Sequence, residues 1–280
     1  MKDRLFIWFQ YLAPQHLISR VIGFFADRHV PWLTVRVIRW FAERYQVDLK
    51  DAVSADLHSY RTFNEFFTRA LKPEARPLAE QNDLWVSPVD GRISQYGDIN
   101  EGRVVQAKGQ TYSVMELLGG DEQLSEQFAS GKYMTIYLSP KDYHRIHMPT
   151  DGKLENMVFV PGKLFSVNQV TADHVPRLFA RNERVVAVFD TPDGKMAMVL
   201  VGAMVVASIE TVWAGIVAPI TRKILRRDYP EKQVTLARGE EMGRFRLGST
   251  VVLLSDNTST QWSKEFRPNG DIRLGESLLQ

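Results

Sequence analysis

The spacing of apolar residues changes period partway along the chain, and that change decides what the chain can become. Leu17, Ile18, Val21, Ile22, Phe24 and Phe25 recur at helical spacing, and after a stop at His29 to Pro31 the set Leu33, Val37, Trp40, Phe41 and Tyr45 repeats it. Met1 to Tyr11 predicts a third, short helix that ends before Pro14. Thr62 to Leu71 predicts another, with Thr62 as N-cap and Glu65 in the capping-box position. Lys72-Pro73 and Arg76-Pro77 stop it. Beyond them the texture is β: Val104 to Ala107, Tyr133 to Leu138, Val185 to Phe189, Met198 to Ile209 and Thr250 to Leu254 are short runs rich in Val, Ile, Met and Tyr, parted by Gly, Pro and Asp. The expectation is an α+β chain: an N-terminal region of amphipathic helices, residues 1–75, followed by a β-rich domain, residues 76–280.

The β region carries an echo. Pro88-Val89-Asp90-Gly91-Arg92-Ile93 matches Pro149-Thr150-Asp151-Gly152-Lys153-Leu154, and Pro192-Asp193-Gly194-Lys195 repeats part of it. Each is an Asp-Gly turn feeding a strand. The first two copies predict a pseudo-symmetric sandwich or barrel-like domain with related turns at related places.

Charge and aromatic content sharpen the reading of the helices. The whole chain has a formal net charge of +2, yet residues 1–50 hold eight Lys/Arg against four Asp/Glu and 10 of the 30 aromatics, among them Trp8, Trp32 and Trp40. Aromatic and basic residues on one helical stripe suit the boundary between lipid tails and anionic headgroups, whereas a nucleic-acid arm would carry fewer large apolar groups. A helical subdomain packed on its own core is the other reading. No run is long enough to span: the candidates are interrupted by Pro14 or, at Met196 to Ile209, bounded by Lys195 and Glu210. No small-residue cleavage site follows the first apolar run, so a peripheral protein on the cytosolic side is expected. Arg222, Lys223, Arg226 and Arg227 form a second basic cluster, read as a headgroup-facing loop or as a solvated stretch.

The chain has no cysteine, which removes disulfides, thiolate metal sites and a thiol nucleophile. Polar, reactive groups concentrate in SPVDG with Asp90, YLSPKDYHRIHMP with His144 and His147, PGKLFSVN with Lys163 and Asn168, and EEMGRFRLGSTVVLLS with Ser249. Phe245, Leu247, Ser249, Val251 and Leu253 alternate at period two, so an extended chain points Ser249 the same way as its apolar neighbours. A metal site at His144 and His147 lacks a third ligand, because none of the remaining histidines is framed by a ligand motif. The pair instead reads as divided labour, one imidazole a base toward a hydroxyl and the other a proton donor, with Asp90 fixing a tautomer.

Taken together, LGST at 247–250, YHRIHMP at 143–149, SPVDGRI at 87–93, PGKLFSVN at 161–168 and FNEFFTRALKPEARPL at 63–78 resemble the bacterial phosphatidylserine decarboxylase family, whose members are pyruvoyl-dependent and made as proenzymes. The resemblance covers nearly the whole chain, in the family's order. It implies that the bond between Gly248 and Ser249 breaks itself, giving chains 1–248 and 249–280 that remain together as a heterodimer, which in turn commonly pairs. Ser249 would attack the Gly248 carbonyl and become a covalent pyruvoyl group, with Asp90 and His147 completing a charge relay. The pyruvoyl ketone would then form a Schiff base with phosphatidylserine from anionic membranes, and His144 would return a proton after CO₂ departs, giving phosphatidylethanolamine. No metal and no nucleic acid enter this scheme.

Two other classes stay open on the residues alone. A membrane-surface serine hydrolase would use Asp90, His147 and Ser249 in the ordinary way, although no G-x-S-x-G elbow is present. A non-catalytic barrel-sandwich carrier would explain the Asp-Gly turns and leave the histidine pair without purpose.

Overall fold

Proline punctuates the helical region. The computed structural model describes residues 2–80, 85–204, 208–219, 221–230, 234–246, 249–259 and 261–279, and it opens with α1 (Lys2–Leu12), α2 (Gln15–Ala26) and α3 (Pro31–Tyr45). Pro31 sits in the first turn of α3, where a missing N–H costs nothing. Small residues face inward from α2, with Ser19, Gly23 and Ala26 buried, while Trp8, Phe24, Phe25, Trp32 and Trp40 are exposed. Ile38 and Phe41 of α3 pack on Phe66 and Phe67 of α4 (Phe63–Phe67).

Helix α4 is shorter than the predicted run to Leu71. The Thr68 hydroxyl turns back onto the Asn64 carbonyl at 2.8 Å, and the chain then extends so that Leu71 bridges Ala52. Thr62 caps as expected, accepting from the Glu65 N–H at 3.1 Å, but the Glu65 carboxylate takes the Arg61 N–H instead of closing the box on Thr62.

Fifteen strands follow among the described residues: β1 (Gly91–Asp98), β2 (Arg103–Ala107), β3 (Gln110–Ser113), β4 (Lys132–Leu138), β5 (Arg145–His147), β6 (Gly152–Val160), β7 (Arg184–Thr191), β8 (Gly194–Val201), β9 (Ile209–Thr211), β10 (Gly215–Ala218), β11 (Leu225–Asp228), β12 (Thr235–Leu236), β13 (Glu241–Phe245), β14 (Ser249–Ser255) and β15 (Asp271–Ile272). Short helices α5 (Val114–Leu117), α6 (Glu122–Gln127), α7 (Gln169–His174) and α8 (Leu178–Arg181) lie between them. Nine strands make one antiparallel sheet in the order β11-β6-β7-β8-β14-β4-β1-β15, with β12 also on β6; β10-β9-β13-β5 make a second, and β2-β3 a hairpin. The echoing Asp-Gly turns open β1 and β6, which stand second from either end of the long path. That path is open, so the sandwich expectation holds and a closed barrel does not. The predicted run Met198 to Ile209 is divided: β8 ends at Val201, and Ile209 begins β9 in the other sheet.

Alternation along β14 separates two cores. Val251 and Leu253 pack with Ile146, Ile209, Met242 and Phe245 between the two sheets, while Val252 and Leu254 pack with Val114, Leu117 and Phe179 under the short helices. Each such buried side chain contributes roughly 1.5–3 kcal/mol, which fixes the register of the strand that Ser249 begins.

Candidate active site

Two crossings between the sheets build the site. After Leu138 the chain leaves β4 and re-enters the second sheet as β5, and after Phe245 it leaves β13 and re-enters the large sheet as β14. The crossings are tied at both ends: Ser249 pairs with Leu138, Arg244 pairs with Arg145, and the Phe245 N–H donates to the His144 carbonyl at 2.9 Å. This brings YHRIHMP and the LGST serine to one junction. Leu247 and Gly248, the rest of the predicted cleavage motif, lie outside the described residues.

Among the described residues, the Ser249 hydroxyl and Nε2 of His144 at that junction are buried without a hydrogen-bond partner. Both residues are fully buried. Nδ1 of His144 donates to the Asp142 carbonyl at 2.8 Å, so Nε2 is bare in the neutral ring. Burial lowers this imidazole to about 3, the Asp142 carbonyl opposing the shift and Arg69 adding to it. The ring of Phe67 rests against it with centroids 4.0 Å apart. Phe63 stacks on Phe67 at 6.1 Å and also lines an apolar cavity of about 430 Å³ between α2 and α3.

His147 is held differently. Its Nδ1 donates to the Gly239 carbonyl at 2.8 Å, and the Tyr143 hydroxyl therefore donates to Nε2 at 3.0 Å. Burial lowers this ring too, against the Gly239 bond and the Glu241 and Asp90 charges that favour its protonated form. Gly239 has φ +80, and a Cβ there would come within 2.6 Å of Leu78, so only glycine presents this carbonyl. The two imidazoles thus bind separate carbonyls.

Asp90 lies in the adjacent SPVDG turn, whose Pro88 carbonyl accepts the His147 N–H at 2.9 Å. Its carboxylate does not fix the His147 tautomer by contact. Arg76 takes it, with Nε at 2.9 and 3.1 Å and Nη2 at 2.6 Å, and the Leu274 N–H adds a bond at 2.9 Å. Asp90 therefore reaches His147 through charge. Asp90, Arg76, Arg69 and Tyr143 border a polar cavity of about 520 Å³.

Arg69, Arg76, Tyr143 and Gly239 were absent from the sequence-based candidates. Arg76 and Arg69 belong to the run through FNEFFTRALKPEARPL, which signalled importance without a role; the acceptor carbonyl of Gly239 is marked only by its being one of 18 glycines. PGKLFSVN goes elsewhere: Gln15 and Gln10 accept the N–H groups of Leu164 and Ser166 at 2.7 and 2.8 Å, and His16 Nε2 donates to Gly162 at 2.9 Å. The motif is where α1 and α2 dock. Asn168 caps α7, and Lys163 is exposed with its backbone bridged to Asn182. Arg226 and Arg227 sit on edge strand β11, where Arg226 pairs with Asp121 and Asp228.

Comparison with known proteins bears on this geometry. A family model described as phosphatidylserine decarboxylase matches residues 63–280, and a second, described as PSD, matches residues 5–46. A phosphatidylserine decarboxylase proenzyme of Hahella chejuensis is 53% identical over 99% of this chain and 93% of its own length. Proenzymes of the same name from Pseudomonas fluorescens and Pseudomonas aeruginosa are 54% and 55% identical over 99% of this chain, and over 98% and 97% of their own.

Proposed function

The chain belongs to the phosphatidylserine decarboxylase family, and from that premise we infer that it converts phosphatidylserine to phosphatidylethanolamine and CO₂ after cutting itself before Ser249. The observation that carries the reading is the Ser249 hydroxyl, fully buried and unbonded at the crossing it shares with His144. Most buried hydroxyls are hydrogen-bonded; among the described residues that of Thr250 is unbonded too, and Ser249 differs from it in being the serine of the LGST motif at the crossing beside His144. This residue fits a covalent pyruvoyl group at the new N-terminus of β14.

Self-cleavage uses the chain's own atoms. The Ser249 oxygen attacks the Gly248 carbonyl carbon, the C–N bond breaks, and an ester replaces the amide. Loss of the Ser249 α-proton with the Cβ–O bond then frees the Gly248 carboxylate, and hydrolysis at the new terminus releases ammonia. His147 receives the serine proton, with the Tyr143 hydroxyl on its Nε2 yielding or relaying, and the Asp90 charge supports the imidazolium.

When formed, the pyruvoyl ketone supplies the electron sink for decarboxylation that no side chain offers. His144, neutral and bare at Nε2, takes a proton from the substrate's ammonium and returns it to the α-carbon once CO₂ has left. Its role as donor thus begins as acceptor. Phe67 covers the imidazole, which is itself fully buried.

The lipid is met at a surface. Among the described residues no helix is long and apolar enough to cross a membrane, and the exposed aromatics of α1–α3 with their arginines are the surface we assign to the bilayer, on its cytosolic, anionic side. Each basic residue near such a surface contributes about 1 kcal/mol. The helical region 1–75 and catalytic region 76–280 are the corresponding division of labour.

Intact mass of the purified protein tests the reading: two chains, the smaller with a blocked N-terminus, are expected, and Ser249→Ala should remain one inactive chain. Full decarboxylation by an unbroken chain would overturn it.

A further inference from the structure

Arg69 is a cation with an unusual setting. It is 4% exposed, and among the described residues no carboxylate pairs with it. Nη2 donates to the Lys141 carbonyl at 2.9 Å and, more weakly, to the Asp142 carbonyl at 3.4 Å, while Nε and Nη1 have no acceptor. The Phe66 ring lies 5.6 Å from the guanidinium. Burying an unpaired charge is costly, and a leucine or methionine would fill the same space without that cost. Stability therefore does not account for the residue.

What the guanidinium touches does. The Asp142 carbonyl that it reaches is the one that takes the Nδ1–H of His144. The segment carrying Arg69 grips the same loop twice more: the Phe67 ring lies on the imidazole, and the Thr68 carbonyl accepts from Arg145 Nε at 2.8 Å. We infer that Arg69 is a positioning residue for decarboxylation, holding the 141–142 carbonyls so that the His144 ring keeps its proton on Nδ1 and its Nε2 bare. This rests on the assignment of His144 to the proton transfer. Its buried charge works in the same direction, since a second positive charge on the ring is disfavoured beside it. Asp142 and Tyr143 flank the ring on its own loop; the Asp142 carboxylate is turned to Ser139, and Phe67 and Phe245 from the packed elements are uncharged.

The test compares Arg69→Met, Arg69→Lys and His144→Gln in the processed full-length protein, by CO₂ release from phosphatidylserine vesicles across pH and by thermal melting. Arg69→Met should lower kcat tenfold or more with KM within twofold, move the acid limb of the kcat profile to higher pH, and melt no lower than the parent. Arg69→Lys, still a charged donor, should recover most of the rate. If Arg69→Met does not fold, Arg69→Gln, which keeps a donor and loses only the charge, should show the same shift of the acid limb. A parental kcat and profile in Arg69→Met beside an inactive His144→Gln overturns the inference. So does a loss of rate that follows the melting point, with no shift and no rescue by lysine. Turnover retained in His144→Gln defeats instead the assignment of His144 on which the inference stands.

Discussion

Replacing Asp90 with alanine removes four hydrogen bonds at once, three from Arg76 and one from the Leu274 N–H. The two side chains are 13% and 11% exposed, so the pair is shielded and the loss counts as that of a buried ion pair, about 3–5 kcal/mol. Asp51 still meets Arg76 at 2.8 Å, which draws the figure toward the lower end, while the orphaned Leu274 N–H adds about 1–3 kcal/mol. A total near 4 kcal/mol is expected. Asp90→Asn keeps an acceptor for Leu274 and should cost roughly half as much. Urea unfolding followed by circular dichroism measures this best on a Ser249→Ala background, where every protein is one chain. An Asp90→Ala loss below about 1 kcal/mol would refute the account of the pair. In the cleavable background the same Asp90→Asn change tests the charge: processing should slow, by less than the roughly 10⁴ seen where a carboxylate is bonded directly to its histidine, and a folded variant that cleaves at the parental rate removes Asp90 from the relay.

Trp40 is 61% exposed on α3, leaving roughly 100 Å² of ring free to enter lipid, worth about 2 kcal/mol. Trp40→Ala should therefore weaken sedimentation with anionic vesicles roughly 30-fold, and an unchanged partition would remove α3 from the membrane surface. Glu183 is 6% exposed, and burial pushes its carboxyl up to about 7, with Arg20 pulling the other way. A folded value above the unfolded one means that its contribution is present below about pH 4.5 and is lost as pH rises through 7. Glu183→Gln should accordingly melt with the parent at pH 4.5 and above it at pH 8; coincident melting at pH 8 would refute the burial argument.

How much of this was legible beforehand follows from which atoms carry each contact. The helices were readable because Pro14 and Pro31 and the apolar stripes act locally, and the Asp-Gly turns opened the strands they predicted. The grouping of His144 with Ser249 was not readable, since it depends on two crossings between sheets far apart in sequence. Asp90 shows the limit most plainly: its type suggested a partner for histidine, yet an arginine 14 residues earlier claims the carboxylate, and a glycine carbonyl takes the histidine proton. Side-chain chemistry narrows the candidates; backbone acceptors decide the tautomers.

Strand β14 lies between β8 and β4 in the middle of the large sheet, and Ser249 is its first residue. The proposed cut just ahead of it would leave that central strand as a guest from a separate molecule, clasped on both sides and unable to leave while the sheet stands. Renaturation of an uncut chain would then be first order, whereas a cut enzyme would need two partners to meet again. Denaturant should thus separate the forms by concentration dependence alone, and the catalyst would be assembled once, in one direction.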